Sequence, residues 1–151
     1  MKPTIFDRII AGELPVSWVY QDAVCVAFMD IHPMSRGHVL VVPRLSRPTL
    51  SELDAATRSH LWEVAERVGA AQRRALGSRA QHLLVNDGKA ASQTVPHVHI
   101  HVIPRYGRDA LRTIAQILWH IGTLALPHRE DAARRRRLDE QAAQIRAALA
   151  A

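Results

Sequence analysis

The stretch HVHIHVIPR, from His97 to Arg105, constrains this chain more than any other. Three histidines alternate there with Val98 and Ile100, and alternation is the period of a β-strand. His97, His99 and His101 therefore share one face while the aliphatic residues point to the other. Three imidazoles on one face are costly to bury unless each has a partner or a task. Spacing limits what that task can be. Alternate residues on a strand lie about 6.5 Å apart and the outer two about 13 Å apart. Zinc takes nitrogens at about 2.0–2.1 Å, so one ion can hold two neighbouring histidines but not all three. A row of this kind suits a nucleophile flanked by helpers, because a neutral imidazole is a competent nucleophile near pH 7. The plain alternative is a polar strand face whose histidines are merely hydrogen-bonded.

Upstream of that row, Thr4 can cap a short helix with Ile5, Phe6, Ile9 and Ile10 on one side and Gly12 at its end. Strands are expected over 16–20 and 24–29, joined by the Gln21-Asp22 turn. Gly37-His38 opens a further strand, VLVVP, that ends at Pro43. Residues 51–54 resemble a capping box. From there to Leu76, Leu53, Leu61, Val64, Ala65, Val68, Ala71 and Ala75 recur at helical spacing, and Gly77 closes the helix. A strand is expected over 82–86 and a loop over 87–92. Strands around one long helix indicate an α+β fold, an antiparallel sheet with helices to one side. Beyond Arg105, helices are expected over 109–121 and 128–151, the second with Leu138, Ala142, Ile145 and Leu149 on one face. Four consecutive arginines, Arg134 to Arg137, fan around that helix and read as a solvated surface rather than a phosphate clamp.

The formal charge of +6 favours anionic partners. Nucleic acid is disfavoured, because a stacked set of base-binding aromatics interleaved with basic residues is missing, Phe and Tyr numbering only two each. A single cysteine, Cys25 in the apolar run AVCVAF, precludes an intrachain disulfide and suits a reducing cytoplasm. The apolar run over 117–126 is interrupted by His120 and is too short to span a bilayer, and the amino terminus lacks a signal-peptide pattern. A cytoplasmic protein without membrane partners is expected.

The segment SQTVPHVHIHVIPR, 92–105, resembles the signature of the histidine triad family of nucleotide hydrolases and transferases, His-φ-His-φ-His-φ-φ preceded by Gly-Gln-Ser/Thr-Val. Ser92 stands where glycine is usual. Looser similarity runs from about residue 4 to residue 105. The resemblance implies a sheet of about five strands, a short amino-terminal helix, one long helix and a helical carboxy-terminal tail. It also implies a catalytic domain over 1–107 with 108–151 packed on it, and a homodimer.

For the site, the resemblance implies that His99 attacks the α-phosphorus of a purine nucleotide to form a nucleotidyl-histidine. His101 would hold the nucleophile's other nitrogen through the local backbone and face the phosphate, and His97 and His38 would orient the site or stabilise charge. Asn86, Ser92, Gln93 and Thr94 match phosphate-contacting positions, with Ser92 in place to crowd the backbone's approach. Without the resemblance, Asn86-Asp87-Gly88 reads as a turn. Asp30 matches the ribose-binding carboxylate, and Ile5, Phe6, Ile9, Phe28 and Ile31 match the slot for the base, although each alone reads as core. Many bacterial members hold a structural zinc. The matching positions here include Thr4, Asp7 and Ser46, hydroxyls and a carboxylate that make a poor zinc site, so no metal and no cofactor are expected. A hydrolase of dinucleoside polyphosphates or nucleoside phosphoramidates is the leading expectation. A nucleotidyl transferase and a nucleotide-binding partner protein with little turnover are the alternatives.

Overall fold

The computed structural model describes residues 2–107, 115 and 131–151. Five antiparallel strands form one sheet: β1 (Trp18–Gln21), β2 (Cys25–Met29), β3 (Val39–Pro43), β4 (Ala80–Leu84) and β5 (Ile100–Arg105), in the order β1-β2-β3-β5-β4. Helices delimited among the described residues are α1 (Ile5–Ile10), α2 (Ala55–Leu76) and α3 (Ala132–Ala150). No helix among the described residues is long and apolar enough to cross a membrane. The helix expected over 109–121, the first residues of the one expected over 128–151, and the domain junction at 108 lie outside the described residues.

The strands β2 and β3 are buried throughout, because both faces of the sheet are covered. One face carries Cys25, Ala27, Met29, Val39, Val41, Val98, Ile100 and Val102, packed against Leu61, Val64 and Val68 of α2 and against Leu138, Ala142 and Ile145 of α3. The other carries Val26, Phe28, Leu40 and Val42, packed against Phe6 and Ile9 of α1. Helices on one side only were expected. The short α1 instead covers the second face, since alternate residues of these strands are apolar on both sides and neither face can be left in water.

Strand β1 runs Trp18–Gln21 rather than over 16–20, and two further boundaries moved for local reasons. Leu50–Glu52 form a 3-10 turn, and Leu53 is extended at φ −90°, ψ 148° so that its side chain reaches the core. The long helix therefore starts after Asp54, whose carboxylate accepts from the Thr57 N–H at 2.8 Å. The strand expected over 82–86 is Ala80–Leu84, pinned by pairing of Ala80 with Arg105 and by the Arg79 N–H donating to the Arg105 carbonyl at 2.8 Å. The expected end of α2 holds: Gly77 is left-handed at φ 71° and caps it.

Candidate functional site

The histidine row straddles the start of β5. Only His101 lies within the ladder, paired with Leu40 on one side and Leu84 on the other. His97 and His99 precede the strand, yet the alternation persists: Val98, Ile100 and Val102 enter the α2-side core. The histidines face α1, where the Phe6 ring meets His97 at 5.8 Å and His99 at 5.2 Å, both edge-on. All three histidines and His38 are buried.

Hydrogen-bond partners decide the tautomers. A carbonyl only accepts, so His99 Nδ1 donates to the His97 carbonyl at 2.7 Å and its lone pair is left on Nε2. The local backbone that holds the nucleophile candidate is thus that of His97, not of His101 as the resemblance implied. Burial pushes the His99 imidazole below its ordinary value, against the pull of the His97 carbonyl and Asp30, so the ring is neutral near pH 7. His97 Nε2 likewise donates to the Pro43 carbonyl at 2.8 Å, and burial lowers its ionisation too.

His38 and His101 form a second pair, Nε2 to Nδ1 at 3.0 Å. The Met34 N–H approaches His38 Nδ1 at 3.2 Å and can only donate, so His38 carries its proton on Nε2 and gives it to His101 Nδ1. The proton of His101 then lies on Nε2, as a donor. Gly37, at φ +84°, permits the turn into β3 just before His38; a Cβ there would lie 2.4 Å from Leu76 Cδ1. Gln72 of α2 donates to the carbonyls of Gly37 and Val102, at 2.9 and 3.1 Å, and so ties together the residues that precede His38 and follow His101.

His99 and His101 open onto a cavity of about 430 Å³. Its walls include Ile5, Phe6, Ile9, Phe28 and Ile31, the five residues expected at the base, together with Asp30 and Thr94. Asp30 accepts from the His32 N–H at 2.8 Å through Oδ1. Its Oδ2 stands 3.4 Å from His38 Nδ1, beyond good hydrogen-bond distance. Asn86, Ser92 and Gln93 do not line this cavity. Gln93 is turned into the scaffold, accepting from the Gly88 N–H at 2.9 Å and donating to the Pro48 carbonyl at 2.7 Å. Ser92 closes the 3-10 turn Lys89–Ala91 at φ 64°, the left-handed conformation that explains why glycine is usual there. The cavity also has walls that sequence reasoning did not select: Leu14, Val16, His32, Leu40, Val95 and Arg135. For Arg135 a signal existed, since it lies three residues before Leu138 on the inward stripe of α3.

The positions that match family zinc ligands do gather, around His97. Asp7 Oδ2 accepts from the Thr4 N–H at 2.7 Å, from Thr4 Oγ1 at 2.8 Å and from Ser46 Oγ at 3.1 Å. The same two hydroxyls lie 3.1 and 3.3 Å from His97 Nδ1. Two hydroxyl protons thus serve two acceptors, the carboxylate and the imidazole. Burial pushes the Asp7 carboxyl up, but the bonds from Thr4 and Ser46, with His97 behind them, outweigh it and hold the group below its ordinary value. A donor set of two hydroxyls, one carboxylate and one imidazole, satisfied by its own hydrogen bonds, does not fit structural zinc.

Two other groups among the described residues bring three donor atoms within 4.8 Å: Asp30, His38 and His101, and Asp22, Cys25 and His60. In the first, the facing nitrogens of His38 and His101 share a proton. In the second, burial first and Asp22 next push the Cys25 thiol up to about 12, so it is a poor ligand.

A HIT-domain profile matches residues 11–108. An Arabidopsis thaliana adenylylsulfatase is 40% identical over 107 residues, which are 71% of this chain and 54% of that one, so the chain spans about half of that relative. A Schizosaccharomyces pombe adenosine 5'-monophosphoramidase is 34% identical over 101 residues, 67% of this chain and 73% of that one. Among solved structures, a zinc-bound histidine triad family protein from Mycobacterium smegmatis superposes with a TM-score of 0.76 at 33% identity, covering 97% of this chain and 92% of that one.

Proposed function

The chain belongs to the HIT-domain family, and from that membership we propose that it is a nucleotide hydrolase working through a nucleotidyl-histidine on His99. One observation carries the reading: the Nδ1–H of His99 is anchored on the His97 carbonyl at 2.7 Å, which leaves Nε2 as the nucleophilic nitrogen beside the cavity. In the first step Nε2 bonds to the α-phosphorus as the bond from phosphorus to the leaving group breaks. The ring gains positive charge, so its Nδ1–H donates more strongly to the fixed carbonyl, an interaction that grows in the transition state. His101, with its proton on Nε2, is the donor placed to meet phosphate or leaving-group charge. In the second step water adds to phosphorus, the phosphorus–nitrogen bond breaks, and one proton of the water is released as the imidazole returns neutral.

The aliphatic and aromatic walls take the base, and Asp30 takes the ribose hydroxyls. Substrates are purine nucleotides with a leaving group on the α-phosphate, such as dinucleoside polyphosphates or nucleoside phosphoramidates. The name of the adenylylsulfatase relative adds adenylyl sulfate to that panel. Turnover of diadenosine tetraphosphate, adenosine phosphoramidate and adenylyl sulfate by wild type and His99→Ala tests the reading. The variant should keep adenosine monophosphate binding and lose about three orders of magnitude in rate, about 4 kcal/mol of barrier. A His99→Ala protein that turns over near the wild-type rate overturns it.

A further inference from the structure

The histidine cavity has one wall from the carboxy-terminal helix. Arg135 of α3 lines it together with His99, His101 and Asp30. The helix is fixed in place by Leu138, Ala142 and Ile145, all buried against the sheet and α2. Arg135 continues that stripe at spacings of three, four and three residues, so it points inward rather than to the solvated face. Its Nη1 is buried, whereas Arg136 and Arg137 are exposed. Arg134 donates to the Ile31 carbonyl. Asp131 caps α3 by accepting from the Ala133 N–H at 2.9 Å, and Asp139 accepts from Ser17 Oγ at 2.6 Å.

A second cavity, about 620 Å³, adjoins the first. Both are lined by Pro15, Val16, Ile31, His32 and Arg135, so Arg135 borders both spaces. A guanidinium is a planar fork of donors matched to a phosphate or sulfate, and Arg135 lines the space onto which His99 opens. We propose that Arg135 is a specificity-determining residue that binds a second phosphate of the nucleotide, distinct from the α-phosphate attacked by His99. The proposal rests on the nucleotide reading above. Two sources supply such a phosphate: the leaving group, or a phosphorylated ribose hydroxyl near Asp30.

Calorimetric titration of the full chain separates these sources, with adenosine 5′-monophosphate, adenosine 5′-diphosphate and adenosine 3′,5′-bisphosphate as probes. Wild type, Arg135→Ala and Arg136→Ala are compared, with thermal melting as the folding control. Arg135→Ala should bind one of the two-phosphate ligands about tenfold more weakly, the low end of what a charge-assisted hydrogen bond contributes. Its affinity for the monophosphate should stay unchanged, and Arg136→Ala, with the same loss of charge, should match wild type throughout. A loss confined to the diphosphate assigns Arg135 to the leaving-group side, and one confined to the bisphosphate assigns it to the ribose. Arg135→Lys keeps the charge without the fork and should fall between wild type and alanine, which serves if the alanine protein misfolds. Unchanged binding of both two-phosphate ligands, or an equal loss for the monophosphate, overturns the proposal. A wild type that binds no monophosphate at all overturns the nucleotide reading itself, and this inference with it.

Discussion

Replacing Asp7 by alanine removes the centre of a clasp that holds α1 against the histidine row. Its Oδ2 accepts from the backbone and hydroxyl of Thr4 at 2.7 and 2.8 Å and from Ser46 at 3.1 Å. Loss of the reciprocal cap costs about 1 kcal/mol. Loss of a hydrogen bond to a buried charge costs about 1.5–3 kcal/mol, but the Asp7 side chain is 26% exposed, so water replaces part of it. A total of about 2–3 kcal/mol follows. At about 2–4 °C per kcal/mol for a chain of this size, the melting temperature should fall by about 5–10 °C. The carboxyl of Asp7 is held below its ordinary 3.8, so its stabilisation is present above that pH and is lost as pH falls through the folded-state value. The difference between wild type and variant, followed by calorimetric melting, should therefore shrink below about pH 4. Wild type should melt unchanged in chelator and carry less than one equivalent of zinc by elemental analysis. A variant within about 1 °C of wild type, or a wild type that loses stoichiometric zinc and stability together, refutes the reasoning.

Ser92→Gly should be stabilising: a left-handed non-glycine residue costs about 1–2 kcal/mol, and the added freedom of unfolded glycine returns about 0.4–1, leaving about 0.5–1 kcal/mol, readable in a urea titration. The acid limb of the pH–rate profile should lie below 6.5, because burial lowers His99 and only its neutral form attacks; a limb at or above that value contradicts the assignment. Stability should also fall as pH drops below 6.5, where unfolded His97 and His99 take up protons that the folded chain resists. Asp30→Asn keeps an acceptor for the His32 N–H but loses the charge, and should weaken ribonucleotide binding by about 1.5 kcal/mol while leaving 2′,3′-dideoxynucleotides unaffected; equal affinity for the ribonucleotide makes Asp30 a turn residue only.

What the sequence made legible was local. The alternation through His97, His99 and His101 fixed which side chains face α1, even though ladder pairing begins only at Ile100. The Thr4 cap, Gly77 and the strand after His38 fell where residue chemistry put them. Leu53 shows the limit: a residue at helical spacing can still reach the core from an extended backbone, and the helix then starts at the next polar cap. Gln93 shows another, since its phosphate role came by resemblance while the fold draws both ends of its side chain into the Gly88 loop and the Pro48 carbonyl. Arg135 was overlooked although its spacing from Leu138 places it on the inward stripe of α3. Four arginines in a row look solvated until the packing of Leu138 decides which of them turns inward.

His99, and no other histidine, is proposed to form the bond to phosphorus. Enzyme mixed with substrate labelled at the α-phosphate and quenched in alkali, which preserves phosphoramidate bonds to histidine, can be digested and mapped by mass spectrometry. The label is expected on His99 and absent from an acid-quenched sample; label on His97 or His101 would contradict the account.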